Sequence, residues 1–484
     1  MLVNSIDKLI GYFSPRSGIQ RAQYRHLLKR KYDGAARTKR TSKWLTTSQS
    51  VNAENRGAQT VLRDRARDLI RNEPFATRGQ QVISANVVGK GIMPQLPEGD
   101  VSDMWKFWAD STRCDFNGKS SYTGMQNLIM NSVSSDGEIF AKKIIDPKAK
   151  IPLKIQLLES DFCPMDERVF GKNNNKVIQG IELDEIGRTI AYHMYKVHPN
   201  SSGLEQVKGV GELIRVPRTD IAHILRTDRA GQLRGVSWFA PVMILLNDLS
   251  EYQGAELLKQ KVSSLFAGFI KDIDGDLDES DKDDFVIEPA TLQKLPGGMD
   301  ITFSNPPSTE FYPQYVSNIM HSIAAGLGIT YESMTGDLKE VNFSSARMGW
   351  LEMNRNFDVW RKNIINTQFN GVVFPWFIEA LILKGFNVPD PDFVPSWTSP
   401  KRQMIDPTKE IPAKIDAIRS GLSTFSGAIR EEGEHPDDHF KELANDQKLL
   451  KKYGLVLDSD ASQKAKNGQN LVEVNVDDKK KDGT

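Results

Sequence analysis

GLGITYESMTGDLKEVNFSSAR, residues 326–347, is the stretch on which the reading of the fold turns. It ends one helix, crosses a polar loop and starts another. Upstream of it, Val316, Ile319, Met320 and Ile323 form an apolar face at helical spacing, and Ser308 or Thr309 can cap that helix with Pro313 near its first turn. Gly326 and Gly328 stop it. The loop runs over residues 331–343. After Ser344 and Ser345 a long helix is expected, with Met353, Phe357, Trp360 and Ile364 on one stripe, continued by Phe369, Val373, Phe377 and Leu381. About 40 continuous residues would span ~60 Å. Pro375 is the expected kink.

Working outward, residues 266–307 read as a compact insertion of short strands and turns, acidic in its first half through Asp276, Asp278, Glu279 and Asp283 among others. Before it, Leu245, Leu249, Tyr252, Ala255, Leu258, Val262 and Leu265 recur three or four apart on a helix begun near Pro241. That stripe must be buried against helices of this chain or of its neighbours. Residues 137–226 alternate like strands, with a β-hairpin expected over 178–197 turning at 184–187. Residues 52–88 are helical, with Ala58, Val61, Leu62, Ala66, Leu69 and Ile70 on one face and Pro74 breaking or offsetting the run; Met104, Trp105 and Trp108 read as core. The fold class is α+β, a small sheet packed on helices. Residues 407–455 form a smaller helical unit, and the polar tail from 458 is expected to be disordered.

At 484 residues the chain is too long for one ordinary core. Its 63 basic and 63 acidic residues cancel, which argues against a surface built to grip nucleic acid everywhere. Any DNA contact must be local or weak. The exception is the arm at 21–43, where Lys29, Arg30, Lys31, Arg37, Lys39 and Arg40 stand among basic residues opposed by Asp33 alone. It is either a nucleic-acid or partner-binding arm or a solvated extension. Cys114 and Cys163 read as reduced, partly buried thiols, and with no apolar run of 18 residues no membrane span is expected.

Catalytic patterns fail one by one. Gly118-Lys119-Ser120 imitates the end of a phosphate-binding loop, but its first glycine would fall on Arg113. Gly89-Lys90-Gly91 lacks the third glycine of a dinucleotide site. Asp272, Asp274 and Asp276 imitate a calcium loop whose turn glycine is Leu277. His193 and His198 lie five apart with no Cys or carboxylate pair at ligand spacing, and Gly235-Val236-Ser237 continues to Phe239 where a nucleophile elbow needs glycine. The expectation is a non-enzyme without cofactor or metal.

The residues also carry a resemblance. Asn86-Val87-Val88-Gly89, Asp136-Gly137-Glu138, Leu158-Glu159-Ser160-Asp161, residues 231–237, Gly326-Leu327-Gly328-Ile329 with Tyr331-Glu332, and residues 342–347 together resemble the lambda-type portal proteins of tailed bacteriophages. The resemblance covers roughly residues 50–430. It implies an α+β wing (51–238), a first stem helix (239–266), a clip (267–307), a second stem helix (308–328), a tunnel loop (329–344), a long kinked spine helix with the return to the wing (345–395) and a helical C-terminal crown (396–457); the basic N-terminal arm (1–50) and the polar tail (458–484) fall outside it. It further implies a homo-oligomeric ring, usually a dodecamer, at one capsid vertex of the virion, assembled in the host cytoplasm. Double-stranded DNA would pass through it during packaging and ejection. The packaging terminase, head-completion proteins and major capsid or scaffolding proteins would dock on it. On this reading Asp337, Lys339, Glu340 and Asn342 face DNA, with Lys339 touching the backbone transiently or merely solvated. Asp276, Asp278, Glu279 and Asp283 form the acidic docking surface. The rivals are a packaging ATPase or nuclease, and a DNA-binding protein using the arm.

Overall fold

The computed structural model describes residues 12–16, 39, 42–43, 46–165, 171–172, 175–201, 211–264, 268–272, 299–303, 312–339, 341–398, 400 and 406–455. Residues 1–54 form one compact unit and 55–484 another. In the first, Lys39 is exposed and its carbonyl accepts from Ser42 Oγ at 2.9 Å.

In the second unit, α1 (Gln59–Asn72) and α2 (Pro74–Val87) are separate helices because Pro74 occupies the first position of α2 and Glu73 is extended. Ala66 and Leu69 are buried as the stripe predicts, whereas Val61 is 46% exposed. A short strand β1 (Pro94–Gln95) leads to α3 (Asp100–Ala109), whose Trp105 and Trp108 stack into an aromatic core with Tyr122 and Phe377. Ser121 caps α4 (Tyr122–Asp136), which stops at left-handed Gly137.

β2 (Glu138–Ile145) is the centre of a three-stranded antiparallel sheet, flanked by β3 (Leu153–Leu158) and β8 (Ile221–Leu225). Its alternation divides the interior: Ile139 and Ala141 join the large helical core, while Phe140 points into a smaller one with Leu158, Ile181, Tyr192 and Met194. That smaller core lies under a second antiparallel sheet in the order β4 (Lys176–Ile178), β5 (Ile181–Leu183), β6 (Thr189–Tyr195), β7 (Leu213–Pro217). The predicted turn forms where Asp184 Oδ1 accepts the N–H groups of Ile186 and Arg188. A second turn at Gln179 and Gly180, both at positive φ, splits off β4, so the segment is three strands and not one hairpin.

α5 (Met243–Ser264) buries Met243, Leu246 and Leu249, but the stripe runs out of cover: Leu257 is 56% and Leu258 62% exposed. Strands β9 (Gly268–Asp272) and β10 (Met299–Phe303) pair antiparallel across the predicted insertion. α6 (Tyr312–Leu327) packs Met320, Ile323, Ala324 and Leu327 inward, and its Gly326 meets the residue just before α5 so closely that a Cβ there would lie 2.3 Å from Val242 Cγ1.

The predicted loop is partly helical. Thr330 caps α7 (Tyr331–Thr335), which ends at left-handed Gly336. The long helix follows as α8 (Phe343–Trp360), a π-helical segment Arg361–Asn370, and α9 (Gly371–Leu383). The helical irregularity therefore precedes Pro375, which sits inside α9. Side chains explain its location: Thr367 Oγ1 donates to Lys362 O, five residues back, and Asn370 Oδ1 is held by Tyr122 Oη at 2.8 Å and Gln126 Nε2 at 3.0 Å. Strand β11 (Ser396–Trp397) pairs with β1. The chain finishes in α10 (Pro407–Arg419), α11 (Phe425–Glu431) and α12 (Pro436–Tyr453). No described helix is long and apolar enough to cross a membrane.

Candidate functional site

Three of the quoted motifs, far apart in the chain, meet at one buried point. Glu138 opens β2 with its side chain fully buried, and Arg234 arrives from the turn before α5 at 1% exposure. Arg234 Nε donates to Glu138 Oε1 at 2.7 Å, and Nη2 lies 2.6 Å from the same oxygen. Ser160 Oγ donates to Oε1 at 2.7 Å, the Gly235 N–H to Oε2 at 2.9 Å, and His223 Nε2 sits 2.9 Å from Oε2. The remaining guanidinium N–H groups reach the carbonyls of Gln179, Ser160 and Cys163. Burial alone would raise the Glu138 pKa; the Arg234 charge and the His223 hydrogen bond outweigh it and hold the carboxyl well below the usual range. Burial pushes His223 down, against the pull of Glu138.

Backbone geometry explains the glycines here. Gly137 (φ +92) lies against Val236, where a Cβ would come within 2.4 Å of backbone atoms, and a Cβ on Gly235 would lie 2.0 Å from Gly137 O. Two chains crossing this closely admit only glycine at both positions. Trp238 N–H bonds Ser134 O at 3.0 Å and completes the crossing.

A second ionic layer surrounds the first. Arg67 of α1 donates to Asp136 Oδ1 at 3.0 Å and to Asp161 Oδ2 at 2.8 Å, and Arg63 Nη2 lies 2.9 Å from Asp161 Oδ1. Glu159, Asp161 and His198 bring three ligand-type atoms within 4.8 Å of one another, a convergence that sequence spacing does not reveal. The Arg67 guanidinium, 3.3 Å from Glu159 and 2.8 Å from Asp161, sits against both carboxylates, and Arg63 adds a second cation on Asp161. The arrangement chemically suits a rigid joint between α1, the two sheets and the turn into α5. In the second sheet, buried Glu182 takes Arg215 at 2.7 Å, Asn175 at 2.8 Å and His193 at 3.1 Å. Burial opposes its ionisation, yet these bonds, Arg215 foremost, hold its pKa down to about 2.

The polar loop follows the C-terminal end of α6 and runs beside it. Asp337 Oδ1 accepts the Lys339 N–H at 3.1 Å and Lys339 itself is exposed, beside Leu338 at 65% exposure. Asn342 caps α8, accepting the Ser345 N–H at 2.9 Å. The loop and α6 enclose a cleft of about 580 Å³ lined by His321, Tyr331, Glu332, Asp337 and Lys339, with the His321 and Tyr331 rings stacked at 4.1 Å. Of the predicted loop residues the structure thus groups Asp337 and Lys339, and gives Asn342 a capping role. Glu340 lies outside the described residues, as do Asp276, Asp278, Glu279 and Asp283, and Lys29, Arg30, Lys31, Arg37 and Arg40. Cys114 and Cys163 are free and buried. Sequence reasoning did not single out Glu138, Arg234, His223 or Arg67 as a cluster. The available signal was charge placed where a strand starts and a helix face is otherwise apolar.

The described residues thus form a layered frame held by a buried ion cluster. Comparison with known proteins gives its family: the model of "Phage portal protein, lambda family" matches residues 37–361. The chain belongs to that family, and it is a structural portal subunit of the phage capsid vertex. It is 26% identical over 470 residues to the probable portal protein of Halomonas phage phiHAP-1, covering 90% of each chain. It is 21% identical over 476 residues to portal protein B of Escherichia phage lambda, covering 85% of this chain and 88% of that one. Among solved structures, a chain in the neck of a native gene transfer agent particle computed with C12 symmetry aligns with a TM-score of 0.43 at 17% identity, covering 74% of this chain and 90% of its own.

Proposed function

We propose that copies of this chain close into a ring, a dodecamer as the family resemblance implies, whose channel passes double-stranded DNA during packaging and ejection. The observation that carries the reading is the family match over residues 37–361, which runs unbroken from the helical start through both sheets and α5–α6 into α8. On it, α5 and α6 are the stem, β9 and β10 belong to the clip, α8–α9 is the spine and the loop over residues 331–343 projects into the channel. The terminase and head-completion proteins dock at the acidic clip, capsid or scaffolding proteins hold the ring at its vertex, and assembly precedes release from the host cytoplasm.

A channel for DNA must let go of it, because lysine and arginine contacts to phosphate bind at any sequence. Equal numbers of acidic and basic residues, 63 each, suit that need. Lys339 is the one basic residue of the loop and is exposed, which supports a brief contact of its ammonium with phosphate. Native mass measurement of the full-length protein tests the ring: a closed oligomer is expected, and a stable monomer overturns the reading. Replacing Lys339 with Ala in the phage tests the loop. A changed packaged-genome length or packaging rate is expected; an unchanged one removes Lys339 from the mechanism.

A further inference from the structure

We infer that an apolar socket between the start of α3 and α9 receives a leucine or phenylalanine side chain from a positively charged segment of another protein of the phage head. The inference rests on the portal reading above and names where such a protein grips the subunit.

The socket holds about 210 Å³ and is walled by three stretches of chain. Leu96 follows β1 and Val101 lies on α3, Phe374 and Ile378 come from α9, and Val388 and Phe393 from the segment after it. The inner wall is fixed in the core. Leu96, Phe374 and Ile378 are buried, and the Phe374 ring packs 5.6 Å from Trp105 and 6.3 Å from Trp397. Pro97 and Pro389 line the exposed side, where each restricts the backbone. Walls packed in this way hold their shape without help from a ligand. An apolar cavity of roughly 150 Å³ accommodates a benzene ring, whereas pockets for cofactors and other small molecules start at roughly 300 Å³. One large apolar side chain is therefore the occupant that fits.

Charge selects the segment that carries it. Every ionisable residue lining the socket is an acid: Glu98, Asp100 and Asp390, all exposed. Lys441 of α12 pairs with Glu98, but Asp100 and Asp390 make no ion pair among the described residues. Asp390 Oδ1 accepts the Asp392 N–H at 3.2 Å, which brings a further acid into the same turn. DNA, a chain of phosphates, is repelled from such a rim. A lysine or arginine beside the anchoring side chain is drawn to it. The buried anchor then supplies most of the affinity, and the acids guide approach and register. A ring seated in a capsid needs contacts with proteins other than itself, and this socket has the chemistry for one.

The test places photoreactive p-benzoylphenylalanine at Val394, 85% exposed and next in sequence to Phe393 of the wall, in the full-length protein. Purified heads and isolated rings are irradiated, and the cross-linked peptides are sequenced by mass spectrometry. In heads the expected product joins this chain to a different protein, at a peptide with leucine or phenylalanine beside lysine or arginine. Isolated rings are expected to give no product. A cross-link to a second copy of this chain, or none in heads, overturns the inference. Asp100→Asn with Asp390→Asn tests the charge; both sites are exposed, and asparagine at 390 still accepts the Asp392 N–H. Native mass is expected to show rings as before, with the cross-link yield in heads at least roughly tenfold lower. Val101→Phe, which fills the socket, is expected to lower the yield likewise. Rings that form but no longer enter heads are the same outcome in stronger form. An unchanged yield in both variants overturns the socket and leaves the portal reading intact, whereas unaltered protein that never forms rings overturns that reading itself.

Discussion

Replacing Glu138 with Gln is the sharpest probe of the buried cluster. The change keeps shape and removes one charge, leaving the Arg234 guanidinium, 1% exposed, without an anion. Breaking one partner out of a buried pair costs about 3–5 kcal/mol. The new carboxamide must also turn its NH₂ toward donors on one side, because Ser160 Oγ, Arg234, His223 and the Gly235 N–H all converge on Glu138. About 4 kcal/mol is therefore expected, or roughly 8 °C in thermal midpoint at ~2 °C per kcal/mol for a large domain. Calorimetry on purified protein measures it, with Glu352→Gln, half of an exposed pair with Arg355, expected to leave the midpoint in place. Combining Glu138→Gln with Arg234→Met removes both charges at once. The double variant should be no less stable than Glu138→Gln alone, even though it also gives up the bonds to Gln179, Ser160 and Cys163 carbonyls. A loss under about 1 kcal/mol for the single variant, or strict additivity in the pair, refutes the assignment of the cluster as a coupled unit.

Two further outcomes follow from the same geometry. Burial, with the Arg218 and Arg234 charges, lowers the His223 pKa below 6.5 in the folded state, so the unfolded chain takes up the proton first and stability falls as pH drops through that value. Glu138, held below its ordinary value, stays ionised across this window; His223→Gln should flatten the decline of the thermal midpoint as pH falls below 6.5, and an unchanged slope rejects the role. Where α6 packs on the turn into α5, Gly326→Ala should cost about 1–3 kcal/mol by overpacking the contact. Because the clash is with Val242 Cγ1, Val242→Ala should recover much of it in urea unfolding; failure to recover places the strain elsewhere.

The helices were the legible part of this chain, because apolar spacing is a local property. Trp105 and Trp108, the stripe on α6 and the paired start of β2 could all be read from neighbouring residues. Where a segment depends on distant contacts the reading slipped. The π-helical segment is held by Tyr122 and Gln126 bonding Asn370 across more than 240 positions, which no local pattern encodes, while Pro375 marks only a position inside α9. The same holds for the ion cluster: Glu138 and Arg234 stand 96 residues apart and each, alone, resembles a surface charge. The second turn at Gln179 was hidden because that residue adopts a positive φ that its type seldom takes. The half-covered stripe of α5 shows the converse limit, since periodicity reports that a face wants cover and not which molecule supplies it.

The π-helical segment has a consequence for how this chain tolerates change in length. In an α-helix each residue turns the side chains by ~100°, so deleting one from α8 would swing every upstream contact off its partner. Residues 361–370 already hold more chain per turn than an α-helix needs. A one-residue deletion there can be absorbed by tightening to α-helical geometry, keeping the loop before α8 and the core around α9 each in register. The longest helix of the described chain thus carries its own slack, placed between the part that faces outward to the loop and the part fixed in the core.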